Sequence, residues 1–248
     1  MNSRIAIFSL CTFLFAPLSF ASGDETPKFS LPLDCTGDTR CFLQNLMDMD
    51  LSPRTRDPLC SGATYNGHKG TDIRVRDIPT MQKGVPVLAM ANGVVLRIRD
   101  GVDDKLVRTK AERIKLSGIE CGNGMVIDHG KFGDSRWTSQ ICHMAKGSLR
   151  VKRGSKIKRG QIIGMIGLSG ATQFPHVHVS LRANGKLRDL LTDAAPTKKP
   201  TNKCNKQISN QLLTPEALTE LQQMNSPILS SGFSDSPMNG KTIMQGKV

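Results

Sequence analysis

The chain contains five histidines in 248 residues, His68, His129, His143, His176 and His178, and two of their settings could bind a metal. In His68-Lys-Gly-Thr-Asp72 an imidazole and a carboxylate flank Gly70, whose freedom lets the chain bend so that both reach one ion. In Pro175-His176-Val177-His178-Val179 two imidazoles stand at i and i+2. On a strand such residues project from one face about 6–7 Å apart, so one can hold a metal while its neighbour faces a substrate. Val177, Val179 and Leu181 would then face the core, and His176, His178, Ser180 and Arg182 a cleft. Two histidines, one aspartate and an open fourth position form a catalytic zinc set, because structural zinc is closed by four protein ligands. Zinc in an open site lowers the pKa of its water to about 7 and polarises a carbonyl, which suits amide hydrolysis. Taken singly, each motif also describes hydrogen-bonded surface histidines; taken together, they read as a metal site.

The elements that must position these residues are short β-branched runs separated by glycines, at 85–89, 93–98, 124–128, 161–167 and 177–181. Many short strands at close spacing predict an antiparallel β domain over residues 59–195. A charged stretch at 99–120 interrupts it as a solvated insertion loop or short helix. Residues 22–58 read as an N-terminal extension, with a short amphipathic helix over 39–49 carrying Phe42, Leu43, Leu46 and Met47. Residues 196–248 read as a linker and tail with one helix after Thr214-Pro215, where Thr can cap and Pro suits the first turn.

Residues 1–21 carry Arg4, an apolar run from Ile5 to Phe15, and Ser19 and Ala21 as small residues before a cleavage point. This is the pattern of a cleavable signal peptide. The run is shorter than the roughly 20 residues of a spanning helix, and Pro17 interrupts it, so no integral membrane anchor is expected after cleavage. Cleavage removes Cys11 and Arg4, leaving six of seven cysteines and a net charge of +12 instead of +13. Six cysteines in an exported chain read as three disulfides; a thiolate metal cluster would want Cys-x-x-Cys pairs, and there are none. The basic charge suits a polyanionic partner. Nucleic acid is excluded by export and by the scarcity of stacking aromatics, since four of nine Phe lie in the signal.

Six motifs in order resemble the lysostaphin-like, or LytM-type, zinc endopeptidases of bacterial peptidoglycan, over residues 67–189. They are His68-Lys-Gly-Thr-Asp72; Gly84-Val-Pro-Val-Leu-Ala with Gly93-Val-Val; Gly122-Asn-Gly-Met-Val-Ile-Asp-His129-Gly; Ile141-Cys-His143-Met; the glycine-spaced run 151–167; and Pro175-His-Val-His178. The resemblance implies a mainly β fold, an antiparallel β-roll or sandwich core with short helical extensions at both ends. It implies one zinc ion held by His68, Asp72 and His178. His143 and His176 would be catalytic, one assisting deprotonation of the attacking water and both stabilising the oxyanion, with the identity of the base left open. His129 matches a structural position. Ile141-Cys142 and residues 168–175 depart from the family pattern, which alters the substrate groove and leaves the ligands intact.

If 124–128 and 137–143 form a hairpin turning near 131–133, Cys121 and Cys142 fall close enough to bridge beside His143. Cys35 with Cys41 would close a local loop, leaving Cys60 with Cys204. The implied function is an exported zinc metallo-endopeptidase, periplasmic or secreted, that hydrolyses amide bonds in peptidoglycan peptides or cross-links, with peptidoglycan as its partner. The alternative is a noncatalytic LytM-like module that binds wall or activates another hydrolase; such relatives lose metal ligands, and this chain keeps them.

Overall fold

Alternation of inward and outward side chains along paired strands sets the architecture. The computed structural model describes residues 26–35, 39–199, 208–209 and 211–224. The expected signal peptide with Cys11, and Cys204, lie outside these residues. In chain order the elements are β1 (Cys41–Asn45), β2 (Thr71–Val75), α1 (Ile78–Gln82), β3 (Pro86–Leu88), β4 (Gly93–Arg99), α2 (Lys110–Ile114), β5 (Asn123–Phe132), β6 (Ser135–Met144), β7 (Lys156–Ile157), β8 (Ile162–Met165), β9 (His176–Ala183), β10 (Lys186–Arg188) and α3 (Pro215–Gln223). The main sheet runs β1-β2-β9-β6-β5-β4-β7, with β10 on β9, and β3 pairs β8 separately. Its pairings are antiparallel.

One face of this sheet buries Ile73 and Val75 of β2, Val95 of β4, Ile127 of β5, Ile141 of β6 and Val177, Val179 and Leu181 of β9. That placement matches the alternation in the sequence around the two adjacent histidines. The other face of β9 carries His176, His178, Ser180 and Arg182.

Within the segment 39–49, where the sequence pattern suggested a helix, Cys41–Asn45 forms a strand and no helix is present. Phe42, Leu43, Leu46 and Met47 have helical spacing, but short apolar runs do not distinguish helix from strand. Here Cys41 is tied back to Cys35 by a disulfide, and Cys41–Asn45 pairs with the open edge of β2. Cys41 and Leu43 enter the core.

The flanks also contribute to this core. Phe29, Leu31, Leu33, Leu212, Leu213, Ala217 and Leu221 all belong to it. The Phe29 amide donates to the Leu212 carbonyl, and the Thr214 amide to the Phe29 carbonyl. Phe29 meets the His129 ring edge-on at 5.1 Å. As the sequence suggests, α3 starts at Thr214, whose side chain accepts from the Ala217 amide, with Pro in its first turn. In the charged stretch after β4, α2 is closed by a capping box between Thr109 and Glu112.

The expected β5–β6 hairpin is present with a different turn. Phe132 pairs with Ser135, so Gly133 and Asp134 make the turn, slightly later than the expected turn near 131–133. Gly133 takes a φ of 55° there, a conformation that suits glycine. Two register irregularities further separate the ladder from a simple count.

Asp189, just past β10, is fully buried. Its Oδ2 accepts from the Leu191 and Thr192 amides and the Thr192 hydroxyl, while Oδ1 has no partner. Burial, with the Asp57 carboxylate adding to it, pushes its pKa from 3.8 up to about 6 despite those donors. A carboxyl with a raised folded pKa holds its proton more tightly when folded, so its contribution is full at low pH and is lost as pH rises from about 4 through 6. Asp189→Asn should therefore match wild type near pH 4 and exceed its unfolding free energy near pH 7 by on the order of 3 kcal/mol. Parallel denaturant titrations at the two pH values check this; a difference independent of pH would contradict it.

Candidate metal centre

Asp72 and His178 are directly paired residues of β2 and β9, so their side chains leave one sheet face side by side. His68 reaches them from the loop ahead of β2. His68 Nε2 lies 3.1 Å from Asp72 Oδ1 and 3.1 Å from His178 Nδ1, and His178 Nδ1 lies 2.8 Å from Asp72 Oδ1. Ligands about 2.0–2.2 Å from a tetrahedral zinc ion stand roughly 3.3–3.5 Å apart, so this triangle is about half an ångström tighter than one face of such a site and would open slightly around an ion.

The donor chemistry agrees. The Leu46 carbonyl, 2.6 Å from His68 Nδ1, can only accept. The ring must therefore carry its proton on Nδ1, and in the neutral imidazole Nε2 offers a lone pair to the cluster. A proton on His178 Nε2 is likewise met by Ser180 Oγ at 3.0 Å, which leaves Nδ1 for the cluster. Hydrogen bonding on the far nitrogen is how metal-bound histidines are held. Burial would raise the Asp72 pKa, but the surrounding imidazoles of His68, His176 and His178 hold it well below the usual carboxylate range. Burial opposes charge on His68, yet the Asp72 carboxylate, the Leu46 carbonyl and the Asp48 carboxylate together outweigh it and shift this pKa up. The field at the meeting point of the three atoms favours positive charge, and the residues fit a single divalent ion.

Gly70 acts differently from the expected bend. Its φ is not in the left-handed region; instead a Cβ there would sit 2.1 Å from the Val179 carbonyl oxygen and 2.9 Å from His178 Cε1. Glycine lets the start of β2 close onto β9 at the ligands.

His143 and His176 stand beside the triangle, their ring centroids 4.6 Å apart. The Ser169 carbonyl is 2.8 Å from His143 Nδ1, and the Phe174 carbonyl is 2.9 Å from His176 Nδ1. Each carbonyl fixes the Nδ1–H tautomer and leaves Nε2 as an acceptor. Burial, followed by His176 and His178, drives the His143 pKa well below the usual value, and burial also lowers that of His176. Both rings are neutral near pH 7. His143 adopts φ 63°, rare outside glycine. Its amide donates to the Cys121 carbonyl and its carbonyl accepts from the Gly167 amide, while Cys142 beside it is bridged to Cys121. That bridge forms as the sequence suggested, although Cys121 precedes β5 and is not a ladder position. Cys60 is disulfide-bonded; its expected partner, Cys204, is outside the described residues. His129 stays apart, bound to the Asn92 carbonyl and the Ser139 hydroxyl.

The loop 168–175, where the sequence departs from the family pattern, carries both tautomer-fixing carbonyls. The charged insertion buttresses this loop: the Val107 amide donates to the Thr172 carbonyl, the Ala171 amide to the Glu120 carbonyl, and the Leu168 amide to Asp104. The insertion is thus bonded to the loop through its backbone and through the Asp104 carboxylate. Tyr65, Ala171, Thr172, Gln173 and Phe174 line the narrow cleft with the site residues, as does Asn45, whose amide donates to Asp72 Oδ2 at 3.0 Å. Sequence reading missed these. Backbone carbonyls have no side-chain signature, and Asn45 comes into place only through the pairing of β1 with β2.

A family profile described as Peptidase family M23 matches residues 66–190, half of the chain. The chain belongs to peptidase family M23. Among curated relatives, this M23 chain is 30% identical over 119 residues to Peptidoglycan DD-endopeptidase ShyA of Vibrio cholerae, covering 48% of this chain and 21% of that protein. It is 27% identical over 145 residues to an uncharacterised metalloprotease of Haemophilus influenzae, covering 58% and 24%. The chain thus spans under a quarter of the length of these relatives. Among solved structures, a zinc-containing peptidase from Vibrio cholerae aligns at 20% identity and a TM-score of 0.38, over 67% of this chain and 38% of its own. The profile match, rather than this superposition, carries the assignment.

The Gly70 contact yields a direct test. Gly70→Ala forces its methyl group into backbone atoms of β9, and it should lower the unfolding free energy by roughly 2 kcal/mol or more. Chemical denaturation checks this, and a variant as stable as wild type would refute the role assigned to the close approach.

Proposed function

We propose that the chain is an exported zinc endopeptidase that hydrolyses amide bonds in peptidoglycan peptides or cross-links. The observation that carries this reading is the convergence of His68 Nε2, Asp72 Oδ1 and His178 Nδ1 within 2.8–3.1 Å of one another, in a chain of an established peptidase family. His68, Asp72 and His178 would hold a zinc ion, which would supply Lewis acidity towards the scissile carbonyl and would lower the pKa of water to about 7.

The remaining work falls to this chain's own residues. His143 and His176 are neutral, buried and locked by carbonyls on Nδ1, so each presents a basic Nε2 to the cleft. One takes the proton of the attacking water and later returns it to the leaving amine, the role of a general base turned acid. The ring that has taken up the proton, now a donor at Nε2, stabilises negative charge developing on the carbonyl oxygen. Burial makes that stabilisation stronger than it would be in water.

The name of the Vibrio cholerae relative supports peptidoglycan as the substrate class. Net charge of +13 on the full sequence supports attraction to an anionic wall, weakening as salt rises. The signal-like residues 1–21 support a periplasmic or secreted location, and among the described residues no helix is long and apolar enough to cross a membrane. The noncatalytic alternative is not favoured, since the three candidate ligands and both flanking histidines are retained.

Zinc content and turnover of isolated sacculi should separate the two groups of histidines. His178→Ala should lose stoichiometric zinc together with activity. His176→Ala should keep zinc and lose about 10²- to 10⁴-fold in kcat. Activity surviving both changes would overturn the reading.

A further inference from the structure

We infer that Asn45, on a strand outside the matched family region, is a positioning residue of the metal centre, holding the Asp72 carboxylate so that a single oxygen faces the ion. This rests on the zinc reading above and extends it to a part of the chain that the family profile does not include.

The two Asp72 oxygens have separate duties. Oδ1 faces the three imidazoles, at 3.1 Å from His68 Nε2, 2.8 Å from His178 Nδ1 and 3.5 Å from His176 Nε2. Oδ2 accepts from Asn45 Nδ2 at 3.0 Å. A carboxylate can only accept, so the side-chain amide must present its nitrogen to it. Asn45 and Asp72 are both buried, which makes an unpartnered Oδ2 costly. Such an oxygen would turn towards the ion as a second ligand or take up a proton, and either change weakens the arrangement of one oxygen and two nitrogens.

The backbone has a specific irregularity that delivers Asn45. Leu43 pairs with Ile73 and Asn45 pairs with Asp72, so β1 accommodates one extra residue, Gln44, at this point. Bulges of this kind re-aim a side chain beside functional sites. The same segment holds the first histidine: the Leu46 carbonyl accepts from His68 Nδ1, the Asp48 amide donates to the His68 carbonyl, and Asp48 Oδ2 accepts from the Gly67 amide. Residues 45–48 therefore clasp two of the three ligands, with Asn45 supplying the only side-chain bond to Asp72 Oδ2 among the described residues.

The test uses the oxidised full-length protein and reads metal binding without turnover. Zinc affinity is measured by competition with a chromophoric chelator for wild type, His178→Ala, Asn45→Val and Asn45→Ser, with metal-free unfolding followed in parallel. Valine suits a strand but cannot donate; serine is too short to reach Oδ2 and keeps the test valid if the valine variant does not fold. A folded Asn45 variant should bind zinc about 10- to 100-fold more weakly than wild type. Its cobalt(II) form should show weaker visible d–d absorption, as expected when a second carboxylate oxygen enters the coordination sphere, a change that a purely structural role would not produce. A folded variant with zinc affinity within twofold of wild type and an unaltered cobalt spectrum would overturn the inference while leaving the metal reading intact. Wild type that binds no zinc, or His178→Ala that binds it as well as wild type, would overturn the metal reading itself, and this inference with it.

Discussion

The structure depends on how closely β2 and β9 approach where Asp72 faces His178. A glycine at position 70 is the condition for that approach, because any Cβ would strike the Val179 carbonyl. Once the strands meet there, the antiparallel register lines up Asn45, Asp72, His178 and Cys142 as successive partners across β1, β2, β9 and β6. Four strands thereby deliver one row of side chains to one place. Three of these are polar groups of the candidate centre, and the fourth, through its bridge to Cys121, holds the backbone next to His143. The core on the opposite sheet face, with Val177, Val179 and Leu181, keeps the row from moving.

A second constraint is the orientation of the imidazoles. A backbone carbonyl takes the Nδ1 proton of His68, His143 and His176, and a hydroxyl meets Nε2 of His178. These acceptors come from the strand end after Asn45, the loop 168–175 and β9 itself. The loop is in turn held by the charged insertion. A segment that resembles a solvated appendage is thus coupled, by main-chain bonds, to the groups expected to move protons.

The site itself was more legible in the sequence than its supports. His176 and His178 announce themselves by period-2 spacing, and the alternation of Val177, Val179 and Leu181 predicts the buried side correctly. The resemblance supplies His68, Asp72 and His143; Asp72, His143, His176 and His178 line one cleft, and His68 meets Asp72 and His178 beneath it. The supports were less readable for physical reasons. Helical spacing at Phe42, Leu43, Leu46 and Met47 hid a strand whose conformation is decided by a partner edge and by the Cys35–Cys41 bridge. Phe29 and Leu213 are too far apart in sequence for any local pattern to reveal that they share a core. Gly70 was assigned to turning when its task is contact, a distinction that only the neighbouring strand can make. The turn at Gly133 and Asp134 differs from the simplest reading because bulges shift a register that counting assumes to be even.

The proposed function joins a basic chain with a signal-like N-terminus, a peptidase family and a His-Asp-His triangle into one chemistry, cleavage of amide bonds in the peptides of the wall. Its most direct test is product analysis of purified sacculi digested by the zinc-loaded protein in ¹⁸O-enriched water, with released fragments identified by mass spectrometry. For each bond cut, the proposed function predicts one new carboxyl group carrying one ¹⁸O atom and one new amine, with the glycan strands left whole. Sacculi that release nothing, or fragments cut within the glycan, would contradict it.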